Sequence, residues 1–95
     1  MNTNITARTL TDHPYMQARV FSYPDGGRVL VSYSTAVVEV SPEGWLKVNG
    51  LYSMTTRKHI GLFMRELGME YQTARAIFEA NEEINIYTGE VRERA

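Results

Sequence analysis

The chain reads as a small α+β domain, an antiparallel meander of three to four strands packed on one face by a C-terminal helical hairpin. Three observations predict it. Apolar residues alternate with a period of two through the first half, turn residues punctuate that half at short intervals, and the apolar period lengthens to that of a helix from Ile60 onward. Strands in one run followed by helices in another mark an α+β arrangement.

Taken in order, residues 1–14 are polar and end in Asp12-His13-Pro14, which predicts a frayed start with one short strand at most. "MQARVFSY" (16–23) alternates, with Met16, Ala18 and Val20 on one face and Gln17, Arg19 and Phe21 on the other. Asp25-Gly26 supplies the positive-φ positions of a tight turn, and "RVLVSYS" (28–34) returns. "TAVVEV" (35–40) is too long to continue that strand straight, so a bend or bulge is expected near Ser34-Thr35. "SPEG" (41–44) reverses the chain, and "WLKVNG" (45–50) is a further strand stopped by Asn49-Gly50.

Ile60, Phe63, Met64 and Leu67 then fall on one helical face, and Gly68 takes the position after the helix that favours a left-handed residue. Tyr71, Ala74, Ile77 and Phe78 mark a second helix running to about Asn81. A short edge strand is expected at 84–87, then a Thr88-Gly89 turn and a charged end. Ninety-five residues accommodate one domain, 1–95, with 1–14 and 88–95 frayed.

Composition narrows function. The absence of cysteine excludes disulfides, thiolate metal sites and a cysteine nucleophile. No apolar run approaches the ~18 residues that span a bilayer, and "MNTNITARTL" lacks the basic and apolar regions of a signal peptide. A cytoplasmic protein with no membrane contact is expected. The net charge of −1 offers no global field for polyanions, although the basic residues concentrate before Glu66 and the acids after it.

Chemistry-bearing residues crowd into "LYSMTTRKHIGLF" (51–63). Ser53, Thr55 and Thr56 are candidate helix caps. With Arg57, Lys58 and His59 they also form a candidate anion or partner site, because free N–H groups and cations gather at the positive end of a helix dipole. His59 with Ser53 invites a nucleophile–base reading, but no strained Gly-x-Ser-x-Gly elbow accompanies them. No catalytic residue, cofactor or metal is assigned; the second histidine, His13, lies in the polar N-terminal segment.

Leu62 falls opposite the apolar stripe, between Lys58 and Arg65, and with Arg65 is a candidate partner contact. Residues 60–80 also have the order of a helix-turn-helix, in which Gln72, Thr73 and Arg75 would face DNA. Against that, Met64 is bulky where the motif uses a small residue, and the second helix is rich in acids.

Two segments carry a resemblance. Ser32, Tyr33, Thr35 and Val37, and then Tyr52, Ser53, Thr55, Thr56, His59 and Ile60, match a "SY-x-T-x-VA" strand and a "YS-x-TT-x-x-H-I" helix start. Together they resemble a family of small uncharacterised domains of phages and prokaryotic mobile elements; Val38 departs from the alanine usual there. The resemblance implies a viral or mobile-element origin and a small protein that binds host machinery; with no credible catalytic set, a non-enzymatic protein in the host cytoplasm is expected. It would bind a host protein or protein–nucleic-acid complex, for example as an anti-defence inhibitor of the anti-CRISPR kind. A nucleic-acid-binding regulator is the alternative, and a homodimer is compatible with either.

Overall fold

Short strands joined by tight turns pair most readily with their sequence neighbours, and this chain follows that rule throughout. A computed structural model describes residues 4–14 and 17–94. It contains β1 (Thr6–Thr9), β2 (Ala18–Ser22), β3 (Arg28–Ser32), β4 (Thr35–Val40), β5 (Trp45–Val48), α1 (Met54–Glu66), α2 (Tyr71–Glu79), β6 (Glu82–Asn85) and β7 (Val91–Glu93). The strands form one sheet in the order β1-β2-β3-β4-β5-β6-β7, every neighbouring pair antiparallel. Both helices enter between β5 and β6 and lie on one face.

The α+β class and helical hairpin agree with the sequence; the strand count does not. Seven strands replace three or four, for three reasons. The run 28–40 is a hairpin, not a bent strand: Ser32 pairs with Thr35, leaving Tyr33-Ser34 as the loop. Tyr33 takes φ 57 there, a left-handed conformation that a tyrosine does not advertise. The expected irregularity lies instead between Leu30 and Val31, and Val37 and Val38 are both buried. Second, β1 and β7 are too short and polar to show alternation. Third, β6 is not an edge, because it pairs with both β5 and β7.

The charged tail is tied in as well. Arg94 donates to the Val48 carbonyl at 2.8 Å and to Asn49 Oδ1 at 3.3 Å. Met16 of the first alternating run lies outside the described residues.

Alternation builds the core. Ala18, Val20, Leu30, Val38, Val40, Leu46 and Val48 are buried against Ile60, Phe63 and Met64 of α1 and Ala74 and Ile77 of α2. Helix α1 lies over β3 and β4, and α2 over β5 and β6. Ser53 caps α1: its extended backbone leaves Oγ 3.2 Å from the Thr56 N–H that it accepts. Gly68, at φ 78, closes the other end, with Gly68 N–H bonded to Arg65 O and Met69 N–H to Met64 O.

Candidate functional site at the start of helix α1

The hydroxyl-rich stretch that opens α1 divides by burial. Thr56 and His59 point inward, while Ser53, Thr55, Arg57 and Lys58 are exposed. The two inward residues meet Ser32 at the end of β3, whose hydroxyl lies 3.0 Å from Thr56 Oγ1 and 2.9 Å from His59 Nδ1. Ser53 Oγ donates to Thr56 Oγ1 at 3.3 Å. A continuous polar chain therefore ties the helix to the sheet, and it satisfies groups that are costly to bury alone.

The far side of the imidazole meets His13, Nε2 to Nε2 at 3.2 Å. A tight turn places His13: its N–H bonds back to Leu10 O at 3.2 Å, and Leu10 is buried in the core. Glu66 pins the same turn, accepting from Thr11 N–H at 2.7 Å and from the Arg8 guanidinium at 2.6 Å. Burial alone would raise the Glu66 carboxyl, but these bonds outweigh it and hold its pKa below the ordinary value. Burial is the main cause that lowers the His59 pKa, with smaller contributions from His13 and Lys58. His59 therefore favours the neutral form.

Chemically, Ser32 sits where a base could reach its hydroxyl, but it is 2% exposed. The second ring nitrogen of His59 faces another histidine instead of an orienting carboxylate. Ser53, the serine nearest in sequence, contacts Thr56 and not His59. Among the described residues no three histidine, aspartate or glutamate side chains converge on one point. Ser32 is visible in sequence only as part of the strand motif and His13 only as the second histidine; their meeting with His59 is not legible, because residues 24 or more positions apart pair only once the sheet has formed.

Two tyrosines border this chain, each adjacent in sequence to one of its serines. Tyr33 and Tyr52 have φ 57 and 41 and are 58% and 60% exposed. The Tyr52 ring covers Gly50, where an added Cβ would approach it to 2.5 Å. The Tyr33 ring lies 6.0 Å from that of His59.

Farther along α1, Lys58, Gly61, Leu62 and Arg65 line an open groove of ≈ 410 Å³, completed by Glu70 at the N-cap of α2 and by Tyr71 and Gln72 in its first turn. Leu62, expected from the helical wheel to be exposed in a monomer, is half-buried because α2 packs beside it. Arg57, Lys58 and Arg65 take part in none of the ion pairs among the described residues. A second depression of ≈ 390 Å³ is lined by Lys47, Glu39, Arg92, Glu83 and Trp45. Four of its charges are paired: Arg92 binds Glu83 at 2.9 Å and stacks 3.8 Å over Trp45, and Lys47 stands 4.0 Å from Glu39.

The residues expected to face DNA lie along α2. Gln72 is exposed, Thr73 is half-buried, and Arg75 donates to Glu79 at 3.2 Å one turn along.

A seven-stranded antiparallel sheet carrying a helical hairpin, with a hydroxyl–histidine chain at the joint, defines a small α+β domain. The chain belongs to a family of unknown function, DUF8033, whose model matches residues 2–80. No curated protein and no solved structure matches it. Among the described residues, no helix is long and apolar enough to cross a membrane.

Proposed function

We propose that the protein is a small, non-enzymatic, phage-related interaction protein that binds a host protein or protein–nucleic-acid complex in the host cytoplasm. Its anticipated role is anti-defence inhibition, which rests on the resemblance of its two motifs. The observation that carries the binding reading is the α1–α2 groove, where apolar Leu62 and Tyr71 lie beside Lys58 and Arg65, two cations against the one acid Glu70 and in no ion pair among the described residues. An apolar floor supplies affinity by leaving water, and rim cations select and steer an acidic partner. The occupant that fits is an acidic segment with one apolar side chain directed at Leu62.

A second reading is favoured by Tyr33 and Tyr52. Exposed rings, Tyr33 beside His59 and Tyr52 five and six residues before Arg57 and Lys58, suit base stacking beside a phosphate backbone. This supports a single-stranded nucleic-acid site as the alternative to a helix-turn-helix that would use Gln72, Thr73 and Arg75.

Co-purification from host cells with wild type and with Lys58→Glu/Arg65→Glu tests the first reading. A defined complex held by wild type and lost in the variant supports it, whereas equal retention or none contradicts it. A gel shift at low salt that Tyr33→Ala weakens would transfer the function to nucleic acid. Sedimentation of the purified chain reports whether a second copy occupies the groove.

A further inference from the structure

We infer that His13 and His59 form a two-histidine site for a divalent transition-metal ion of the zinc type. The two Nε2 atoms stand 3.2 Å apart. Two nitrogens bound to one tetrahedral zinc at about 2.0–2.1 Å are separated by about 3.3–3.4 Å.

Ring orientation adds an independent criterion. A straight N–H···N bond of the observed length would hold the ring centroids about 5.5 Å apart. Two rings aimed at a shared metal from the same nitrogen separation would place them at about 5.0 Å. The observed separation is 4.8 Å, with the planes tilted by 49°. The rings are thus bent out of the straight hydrogen-bonded arrangement, and their separation is closer to that of two ligands of one ion.

The surroundings supply what a metal-binding histidine needs. Its other ring nitrogen is ordinarily held by a polar partner, which fixes the tautomer. For His59 that partner is Ser32 Oγ, 2.9 Å from Nδ1. With the ring proton on Nδ1, Ser32 Oγ accepts that N–H as a hydrogen bond and donates its own O–H to Thr56 Oγ1 at 3.0 Å, leaving Nε2 with a lone pair. Ligation then needs a tautomer shift and no net loss of a proton.

Leu10 and Glu66 hold the His13 turn in place, so the pair is preorganised from two distant parts of the chain. Two protein ligands leave coordination positions for water or for a donor from a bound partner, and Lys58 nearby opposes a dication. Affinity should be moderate, and selectivity should follow the preference of imidazole for zinc, nickel and copper over magnesium and calcium.

The test uses the full chain without a polyhistidine tag, titrated with zinc chloride. Calorimetry should give one saturable site per chain, thermal denaturation should shift upward with zinc, and magnesium should do neither. Nitrogen-15 spectra should show the Nε2 resonances of both histidines moving together, and the chain has only these two. His13→Gln, at a half-exposed position that leaves the core intact, should abolish all three responses. Absence of saturable zinc binding in wild type, or binding unchanged in His13→Gln, would overturn the assignment.

Discussion

His59 illustrates how one residue couples local chemistry to the stability of the whole. It is fully buried, and burial with His13 and Lys58 nearby lowers its pKa in the folded state. The unfolded chain therefore binds a proton there more readily than the native one. Its contribution is complete above about pH 6.5 and is lost as pH falls through the lower native value. Glu66 acts in the same direction at more acidic pH, because its native pKa is also depressed. Denaturation midpoints should fall as pH drops below about 6.5, and His13→Gln should change that limb; a profile flat from pH 7 to pH 5 would contradict this.

Ser32→Ala leaves Thr56 and His59 without their shared partner and should cost about 1–3 kcal/mol, read from urea denaturation. Tyr33 poses the opposite case. A left-handed non-glycine residue carries a penalty of about 1–2 kcal/mol that glycine avoids, offset by the greater freedom of glycine when unfolded. Tyr33→Gly should leave stability within about 1 kcal/mol of wild type. A larger loss would show that the exposed ring has a structural duty.

At the scale of elements, α1 joins the other parts. Ser53 caps it, Phe63 and Met64 fill the core, and Glu66 holds the N-terminal turn. Ser53→Ala should cost about 1 kcal/mol and Phe63→Ala about 3–5 kcal/mol, both measurable by chemical denaturation. Both helices were legible in sequence, because a 3.6-residue apolar period is a local signal, and for α1 the Gly68 stop is another. The strands β2 and β5 were legible for the same reason. The Tyr33-Ser34 hairpin was not, since neither residue signals a left-handed turn. Strands β1 and β7 lacked alternation, and their pairing depends on partners already in place. The candidate site followed the same division: Ser53, Thr56 and His59 were visible as a cluster, whereas Ser32 and His13 join them only through the fold.

At the scale of the molecule, one face of the sheet is covered by the hairpin, and the outer surface of that hairpin carries Lys58 and Arg65, in no ion pair among the described residues. Lys58→Glu/Arg65→Glu changes neither a core residue nor an ion pair, so the fold should persist while partner binding fails. Binding steered by these cations should also weaken as salt rises. The most direct measurement compares wild type with Lys58→Glu/Arg65→Glu in co-purification from host cells, with circular dichroism confirming that both are folded. The account predicts a defined host complex on wild type that is absent from the variant. The same complex on both, or none on wild type, would contradict it.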